Sequence, residues 1–408
     1  MKLKLKLNLR SARLIIIVSL LVIVSGWSGF WLGTHQFQID FSQKTSVKID
    51  RKIPPDKQDV DFALFWDVWD RLEKDYLEKE DINPAQMVFG AIQGMVASLG
   101  DPYTVFLKPP ENKEVKDDLN GSFEGVGIQL GYKDDQLAVI APLKGTPADK
   151  AGVKAGDLIL KINEESVSGL SADEAAQKIR GPKGSTVKLT LIHSGEKESY
   201  EMGIIRETII VSSVEVDFLS SNGQTVAHLK LLKFGDRTAE EWGKAVNQII
   251  DHQPQVAGVV LDLRNNPGGY LTGSVFIASE FLSSGIIVQQ EQASGFKETY
   301  SVDRQGKLLT QPLVVLINEG SASASEIVAG SLRDHQRAEI VGAKSFGKGT
   351  IQEAEDLAGG AGLHITTARW LLPSGESINE VGLKPDVEVK DDSQTEIDEQ
   401  LEKAIEVL

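Results

Sequence analysis

The sequence contains no cysteine and only six histidines. The absence of cysteine excludes disulfides, thiolate zinc sites, iron–sulfur clusters and a cysteine nucleophile. No two histidines have the H-x-x-x-H spacing of a helical metal site, and no G-x-S-x-G motif marks a nucleophile elbow. The sequence therefore predicts no metal and no cofactor, and it gives little support to a Ser-His-Asp hydrolase.

Positive charge is also scarce. Lys and Arg number 43 against 59 Asp and Glu, a net charge of −16. Five of the cations and no acid fall in residues 1–13, so the remaining chain carries 38 cations against 59 acids. A body this acidic repels phosphate backbones, and we expect no nucleic-acid partner.

Only one long run lacks charge altogether. Residues 14–33, LIIIVSLLVIVSGWSGFWLG, are long enough as a helix to cross a bilayer core of about 30 Å. The cations before the run predict that residues 1–13 form a cytoplasmic tail and that the body lies outside the cytoplasm. A cleaved signal peptide, which would release a secreted chain, is the alternative, but no clear small-x-small cleavage site follows. We expect an uncleaved single-pass anchor, followed by a polar stalk over residues 34–58.

The rest of the chain changes character three times. Apolar residues at spacings of three and four predict helices over residues 60–100, within an N-terminal helical part that spans residues 59–117. Residues 118–206 contain short β-rich runs, glycine-rich turns and one short helix, SADEAAQKI, which predict a compact β-rich module. Residues 207–390 alternate strand and helix patterns, as an α/β core does. Residues 391–408 predict a C-terminal amphipathic helix.

The first segment that could carry chemistry is NEGSASASEI, residues 318–327. A buried strand ends there and a helix begins. Small residues around Ser321, Ser323 and Ser325 would let a substrate backbone come close, and the helix N-terminus offers free N–H groups to an oxyanion. The alternative is a capping box formed by Ser323 and Glu326, which needs no catalysis.

The second segment is GAKSFGKGT, residues 342–350, which nearly matches a nucleotide-binding loop. Gly349 stands where a Ser or Thr hydroxyl would have to hold magnesium. The following TIQEAEDL contains β-branched residues and then a glycine-rich turn, which is not the pattern of a phosphate-binding helix. We therefore expect no nucleotide site. Lys348, if buried, could lose its proton and act as a base. A solvated turn lysine is the alternative.

The third segment is LRNNPGGY, residues 263–270, which closes another buried strand. Pro-Gly-Gly gives a tight turn with exposed N–H groups. The segment is either a plain turn or a donor to an oxyanion.

These three segments belong to a larger pattern. Four further segments accompany them, so that seven short segments follow one another along residues 60–390. The four are LGDPYT (99–104), GVGI (125–128), AGVKAGD (151–157) and GLKPD (382–386). Each segment is weak evidence alone, but all seven in order are very specific. The chain resembles the C-terminal processing peptidases, also called tail-specific proteases.

The resemblance implies a set of catalytic residues. In that family a serine and a lysine 25 positions later form the catalytic pair, and a glutamine follows four positions beyond. These positions are Ser323, Lys348 and Gln352 here. The family's oxyanion donors fall on the N–H groups of Gly269 and Ala324. The implied reaction needs no metal and no nucleotide: neutral Lys348 deprotonates Ser323, Gln352 orients Lys348, and an acyl-enzyme is hydrolysed.

The β-rich module in turn resembles a PDZ domain, which binds a peptide C-terminus by adding it to a sheet edge. The implied carboxylate-binding loop consists of Gly125, Val126, Gly127 and Ile128. Without the resemblance these glycines indicate only turns. Arg180 could attract a substrate carboxylate or communicate with the active site, and a plain surface cation is the alternative.

Together these features imply a membrane-anchored serine endopeptidase that cleaves proteins or peptides near their free C-termini. Its core would be an α/β fold of the crotonase/ClpP-like kind with an inserted PDZ domain. The resemblance leaves room for a homo-oligomer or a regulatory partner. A non-catalytic PDZ scaffold that presents bound tails is the alternative, although an inert chain should have lost Ser323 or Lys348, and both are present.

Overall fold

A computed structural model of the chain describes residues 61–133, 136–193, 196, 198–221, 223–390 and 397–408. The predicted tail, anchor and stalk, residues 1–58, lie outside the described residues. No helix within the described ranges is long and apolar enough to span a bilayer. The described residues divide into two compact units, with the boundary between Gly90 and Ala91.

The described part of the first unit is helical, as the apolar periodicity predicts. Helix α1 is Ala63–Asp75, and helix α2 is Pro84–Ala97, whose last turns belong to the second unit. Aromatic residues recur along one face of α1, where the Phe65 and Trp69 rings lie 6.1 Å apart. Trp69 is buried, and its indole N–H donates to the Glu73 carboxylate over 2.9 Å.

The next elements of the chain are strand β1 (Val105–Leu107) and helix α3 (Pro109–Leu119). Proline suits the first turn of a helix, where its missing N–H would have had no partner. The Glu111 carboxylate accepts the backbone N–H of Lys108 over 2.9 Å, which satisfies a donor at the start of α3.

The β-rich module follows. Its elements are β2 (Ser122–Gly125), β3 (Ile128–Lys133), β4 (Gln136–Pro142), α4 (Pro147–Ala151), β5 (Leu158–Ile162), β6 (Glu165–Ser166), α5 (Ala172–Ile179), β7 (Thr186–Ile192), β8 (Tyr200–Ile205) and β9 (Glu207–Ile210). Strands β3, β4, β5, β7 and β8 form an antiparallel sheet in that order, with β6 on β5, while β2 pairs with β9. The module has its own apolar core. Helix α4 is absent from the sequence prediction, which gave the module a single helix.

The α/β core alternates strands and helices as predicted. Its elements are β10 (Val214–Ser221), β11 (Gln224–Leu231), α6 (Thr238–Asp251), β12 (Gly258–Asp262), α7 (Leu271–Ala278), β13 (Ile286–Gln292), β14 (Lys297–Ser301), β15 (Leu313–Ile317), α8 (Ala324–Asp334), β16 (Glu339–Gly342), β17 (Thr350–Asp356), β18 (Gly362–Leu371), β19 (Val387–Glu388) and α9 (Glu399–Val407). The predicted C-terminal helix therefore begins at Glu399, and residues 391–396 of that prediction lie outside the described residues.

A mixed six-stranded sheet places the candidate segments. Its order is β10-β11-β12-β15-β16-β19, and every pair except β10 with β11 is parallel. Helices α6, α7 and α8 contribute to the main apolar cluster, and α9 contributes to a second one with this sheet. Because β12, β15 and β16 are parallel neighbours, their carboxyl ends meet at one edge, where ligands bind in sheets of this type. All three candidate segments follow these strand ends.

A second, antiparallel sheet lies beside the segment that follows β16. Its order is β1-β18-β13-β14, and β17 also pairs with β18. The segment after Lys348 is thus a strand, which agrees with the expectation that no helix of a nucleotide-binding loop begins there.

Candidate active site

Ser323 lies immediately before the first turn of α8, with φ 54° and ψ −115°. A left-handed φ at a residue other than glycine costs about 1–3 kcal/mol, and it persists only where the surrounding structure imposes it. Ser323 and Glu326 are arranged as a capping box, and the Glu326 carboxylate caps the Ser323 N–H, but within the described part of the chain the Ser323 hydroxyl itself makes no capping hydrogen bond. The hydroxyl is therefore free for another role at a half-buried position.

The carboxylate of Glu326 joins the serine segment to the lysine segment. Its Oε2 accepts the backbone N–H groups of Ser323 over 2.8 Å and Lys348 over 3.0 Å. Its Oε1 accepts the Gly347 N–H over 2.7 Å and the Ser345 hydroxyl over 2.5 Å. Burial raises the pKa of Glu326, and these four hydrogen bonds oppose the rise. One buried carboxylate therefore fixes the main chain at both predicted catalytic positions.

The turn after β12 closes against the serine. Gly269 has φ 138°, and a Cβ there would lie 2.1 Å from the Phe234 carbonyl oxygen, so the position accepts only glycine. A Cβ on Gly268 would lie 2.9 Å from the Ser323 Cβ. Among the described residues, neither the Gly269 N–H nor the Ala324 N–H has a hydrogen-bond partner. Free N–H groups beside a serine are what an oxyanion hole requires.

Asn266 ties this turn to the serine segment. Its side chain is fully buried, donates to the Leu231 carbonyl over 2.6 Å and accepts the Gly268 N–H over 2.9 Å. Its carbonyl accepts the Ala322 N–H over 3.0 Å and the Ser325 hydroxyl over 2.9 Å. The oxyanion turn and the serine are thus held in fixed relation.

Lys348 lies in the loop between β16 and β17. Its backbone carbonyl accepts the Trp370 indole N–H over 3.0 Å, and its backbone N–H donates to Glu326. Burial lowers the pKa of Lys348, whereas the negative charges of Asp101 and Glu326 oppose that shift. A half-buried lysine that releases its proton more readily than usual is suited to general-base chemistry. Lys348 is therefore not the solvated turn lysine of the alternative interpretation.

Gln352 lies on β17, next to the same loop. Its side-chain nitrogen donates to the hydroxyls of Thr350 over 2.9 Å and Thr366 over 3.1 Å. The Thr366 N–H donates in turn to the Thr104 hydroxyl oxygen over 3.0 Å. Within the described residues Gln352 is held by threonines and makes no hydrogen bond to Lys348.

One groove of about 750 Å³ collects the predicted catalytic and oxyanion residues. Those that line it are Gly269, Ser323, Ala324, Lys348 and Gln352. Its apolar wall includes Leu119, Leu271, Ile327, Ile351 and Trp370. The groove can therefore present an apolar stretch of polypeptide to the serine.

The predicted tail-binding loop, residues 125–128, lies in the β-rich module. Val126 is buried in the module core, so only its backbone is available to a ligand. Gly127 has φ 77°, and a Cβ there would lie 2.5 Å from the Thr146 Cβ. The Val126 carbonyl accepts the Ala148 N–H over 2.9 Å, which fixes the loop against α4.

Arg180 is not a free cation. Its guanidinium pairs with the Glu114 carboxylate of α3 and lies 4.9 Å from the centroid of the Phe123 ring. Glu114 also lines the groove that contains Ser323. Arg180 is therefore linked to a residue of the catalytic groove by an exposed ion pair, and its role in tail recognition stays a prediction.

Sequence reasoning assigned no role at this site to Asn266, Trp370 or Tyr103, and it interpreted Glu326 only as a helix cap. The capping pattern did signal a bond from Glu326 to the Ser323 N–H, but nothing local shows that the same carboxylate reaches Lys348. For Tyr103 the signal was its place in the segment LGDPYT, residues 99–104.

Comparison with known proteins identifies the class. The model of peptidase family S41 matches residues 225–389, the PDZ-domain model matches residues 114–192, and a model described as the activating protease CtpB N-terminal domain matches residues 23–109. The chain belongs to the carboxy-terminal processing proteases of peptidase family S41, and it is a serine-type peptidase that carries a PDZ domain.

Particular relatives support this assignment along most of the chain. The carboxy-terminal processing protease CtpA of Bacillus subtilis is 36% identical over 323 residues, which cover 79% of this chain and 67% of that protein. CtpB of the same organism is 33% identical over 366 residues, covering 90% and 75%. A solved S41 protease candidate from Bacteroides fragilis shares the fold, with a TM-score of 0.54 at 17% identity, covering 85% and 93%. The family favours a peptidase over the non-catalytic scaffold.

Proposed function

We propose that this peptidase cleaves proteins or peptides near free C-termini, with Ser323 as nucleophile and Lys348 as general base. The observation that carries the proposal is the single groove in which an uncapped serine, a lysine of lowered pKa and two free N–H groups meet.

The reaction follows from these groups. Neutral Lys348 takes the proton of the Ser323 hydroxyl as Oγ bonds to the scissile carbonyl carbon. The oxyanion accepts hydrogen bonds from the Gly269 and Ala324 N–H groups. The lysine ammonium then protonates the departing amine, and water hydrolyses the acyl-enzyme with Lys348 again as base. Ser323 and Lys348 are not hydrogen-bonded among the described residues, as is common for catalytic pairs without substrate, whose hydrogen bonds tighten in the substrate complex.

Gln352 enters the proposal as a positioning residue for Lys348. It lines the same groove, and two threonine hydroxyls hold its amide. The two threonines bind the amide nitrogen, so the amide oxygen of Gln352 is the atom that would accept a hydrogen bond from the Lys348 amine.

The PDZ loop enters the proposal as the receptor for the substrate tail. Backbone N–H groups of residues 125–128 would hold the terminal carboxylate, and the substrate would extend the module's sheet. Arg180 and Glu114 would couple a bound tail to the groove, since Glu114 contacts both places.

The setting of the enzyme is proposed from the sequence. Residues 14–33 would anchor the chain in the membrane, with residues 1–13 in the cytoplasm and the catalytic body outside it. Protease digestion of intact spheroplasts should remove the body, whereas full protection would reverse the orientation. The parallel strands and covering helices support a crotonase/ClpP-like core. A homo-oligomer or a regulatory partner would be seen as a complex of the detergent-solubilised full chain.

The catalytic assignment is tested with a substrate that carries a C-terminal tag. Ser323→Ala and Lys348→Ala should each abolish its cleavage by the full chain, because they remove the nucleophile and the base. Lys348→Arg should abolish it too, because guanidinium cannot release its proton near neutral pH. Lys344→Ala is the matched control, since Lys344 is an exposed lysine of the same loop and should be replaceable without loss. Near-native turnover by Lys348→Arg would overturn the Ser–Lys pair.

A further inference from the structure

The amine of Lys348 lies over the face of an aromatic ring. Its main chain is fixed by Glu326 on one side and Trp370 on the other. The ammonium has no hydrogen-bond or ion-pair partner among the residues that the structure describes. Its Nζ lies 5.0 Å from the centroid of the Tyr103 ring, which is within the range of a cation–π interaction.

The Tyr103 ring is itself held in place. The Tyr103 N–H and the Thr104 hydroxyl both donate to the Asp101 carboxylate, over 3.0 and 2.6 Å. Thr104 also accepts the Thr366 N–H, and β1 continues the chain as a strand paired with β18. The ring is therefore presented by a hydrogen-bonded turn at the edge of the sheet that also carries Gln352.

We propose that Tyr103 is a positioning residue for Lys348, which holds the lysine amine and stabilises it as it becomes cationic on taking the serine proton. The inference rests on the proposed role of Lys348 as base. A ring face attracts an ammonium much more strongly than a neutral amine, so the contact strengthens as the proton is transferred. Interactions that strengthen toward the transition state raise the rate of the chemical step.

Other charged groups act on Lys348 and Tyr103. Asp101 and Glu326 favour the charged lysine, and burial together with Lys348 lowers the pKa of His364. Burial raises the pKa of Tyr103, and the carboxylates of Glu326, Asp101 and Glu380 raise it further, so the phenol stays neutral. The test must therefore change the ring's electrons and leave these groups in place.

The experiment measures kcat and KM against pH for the full chain, with a fluorogenic peptide that ends in a free apolar C-terminus. Tyr103→Phe keeps the ring face and should stay within about twofold of the native chain. Tyr103→Leu keeps an apolar side chain without the ring. Its kcat plateau should fall by about three- to thirtyfold, and the acid limb of its pH profile should move about 0.5–1.5 units lower. KM should change little, because Tyr103 does not line the groove.

A second series of variants keeps the inference testable even if Tyr103→Leu fails to fold. Tyr103→Phe chains with one, two and three ring fluorines keep the shape while the ring face becomes less negative, so the plateau and the acid limb should fall stepwise. A flat series, or a Phe variant as impaired as Leu, would overturn the role of the ring. Ser323→Ala and Lys348→Ala run beside it: if they stay active, the proposed catalytic pair is wrong, whereas if they are inactive and the series is flat, only the Tyr103 inference fails.

Discussion

The loop that holds Ser323 and the PDZ loop at residues 125–128 both need a left-handed backbone. The PDZ loop meets this need with Gly127 at φ 77°, which costs little. The catalytic loop places a serine at φ 54° and stores strain there. Of these two loops, the one that needs a side-chain hydroxyl accepts backbone strain, and the one that needs only its backbone avoids strain with a glycine.

The two loops are also supported differently. The buried carboxylate of Glu326 and the backbone carbonyl of the buried residue Asn266 hold the catalytic loop through hydrogen bonds. The PDZ loop rests on an apolar side chain, Val126, and on the Thr146 hydroxyl, which donates to the Gly127 carbonyl over 3.2 Å. Polar support fixes direction as well as distance, which a catalytic group needs more than a peptide-binding loop does.

Replacing the strained serine should separate strain from chemistry. Ser323→Ala and Ser323→Gly should both lower hydrolysis by roughly 10⁴-fold or more, because each removes the nucleophile. The free energy of unfolding, measured by urea denaturation, should also be about 1 kcal/mol higher for Ser323→Gly than for Ser323→Ala, since only glycine relieves the left-handed φ. If the alanine variant were at least as stable, the strain at this position would be negligible.

A methyl group at the oxyanion turn should have the next largest effect. In Gly269→Ala the new Cβ would lie 2.1 Å from the Phe234 carbonyl oxygen, so the turn must move and its N–H with it. We expect kcat to fall by about 10²–10³-fold with a smaller change in KM. Gly243→Ala, on α6 with nothing within 4 Å, is the control and should leave kcat unchanged. A native kcat in Gly269→Ala would exclude that N–H as an oxyanion donor.

The outer support of the catalytic loop predicts a pH-dependent stability. Burial would raise the pKa of Asp262, but hydrogen bonds from His228 and Arg264 lower it to about 2. Arg264 also binds Asp398, which ties the C-terminal segment to the end of β12. A carboxyl whose folded pKa is depressed contributes stability above its unfolded value near 4, and that contribution disappears as pH falls toward 2.

Asp262→Asn should therefore lower the free energy of unfolding at pH 7 by about 2 kcal/mol. In denaturation curves recorded at successive pH values, this difference in the free energy of unfolding should shrink as pH falls from 4 and vanish near pH 2. Asp217→Asn is the control, because its pair with Lys230 is exposed and should contribute below about 1 kcal/mol. A difference that stays constant with pH would contradict the charge network.

The PDZ loop should respond least. Gly127→Ala introduces a Cβ 2.5 Å from Thr146 at a left-handed φ, which should weaken binding of a free-carboxylate peptide about tenfold in calorimetric titrations of the inactive Ser323→Ala chain. Amidating the peptide should weaken binding to the Gly127 chain by about ten- to a hundredfold.

Gly203→Ala is the matched control for the PDZ loop, because its new Cβ would make only an ordinary contact, 3.5 Å from Thr186. It should bind the free-carboxylate peptide normally. Equal affinity of amidated and free peptides for the unaltered loop would refute carboxylate recognition while leaving the peptidase intact.

Periodicity was sufficient to predict most elements of the core, because buried strands such as Leu313–Ile317 and amphipathic helices such as Thr238–Asp251 carry strong patterns. The five residues of Pro147–Ala151 are too few to show a helical period, so that helix was missed. The ion pair of Arg180 with Glu114 was equally hidden, because 66 positions separate the partners along the chain.

Three features can be read from the amino-acid order alone: the succession of strand and helix patterns, the membrane-length apolar run, and the spacing of Ser323, Lys348 and Gln352 that reveals the family. The meeting of the segments after β12, β15 and β16 is a property of the folded chain, because the adjacency of parallel strands is set by packing and not by chain order. The tertiary structure also sets the burial that lowers the pKa of Lys348. A pKa depends on the solvent and charges around a group, and the neighbours that set it here lie far away along the chain.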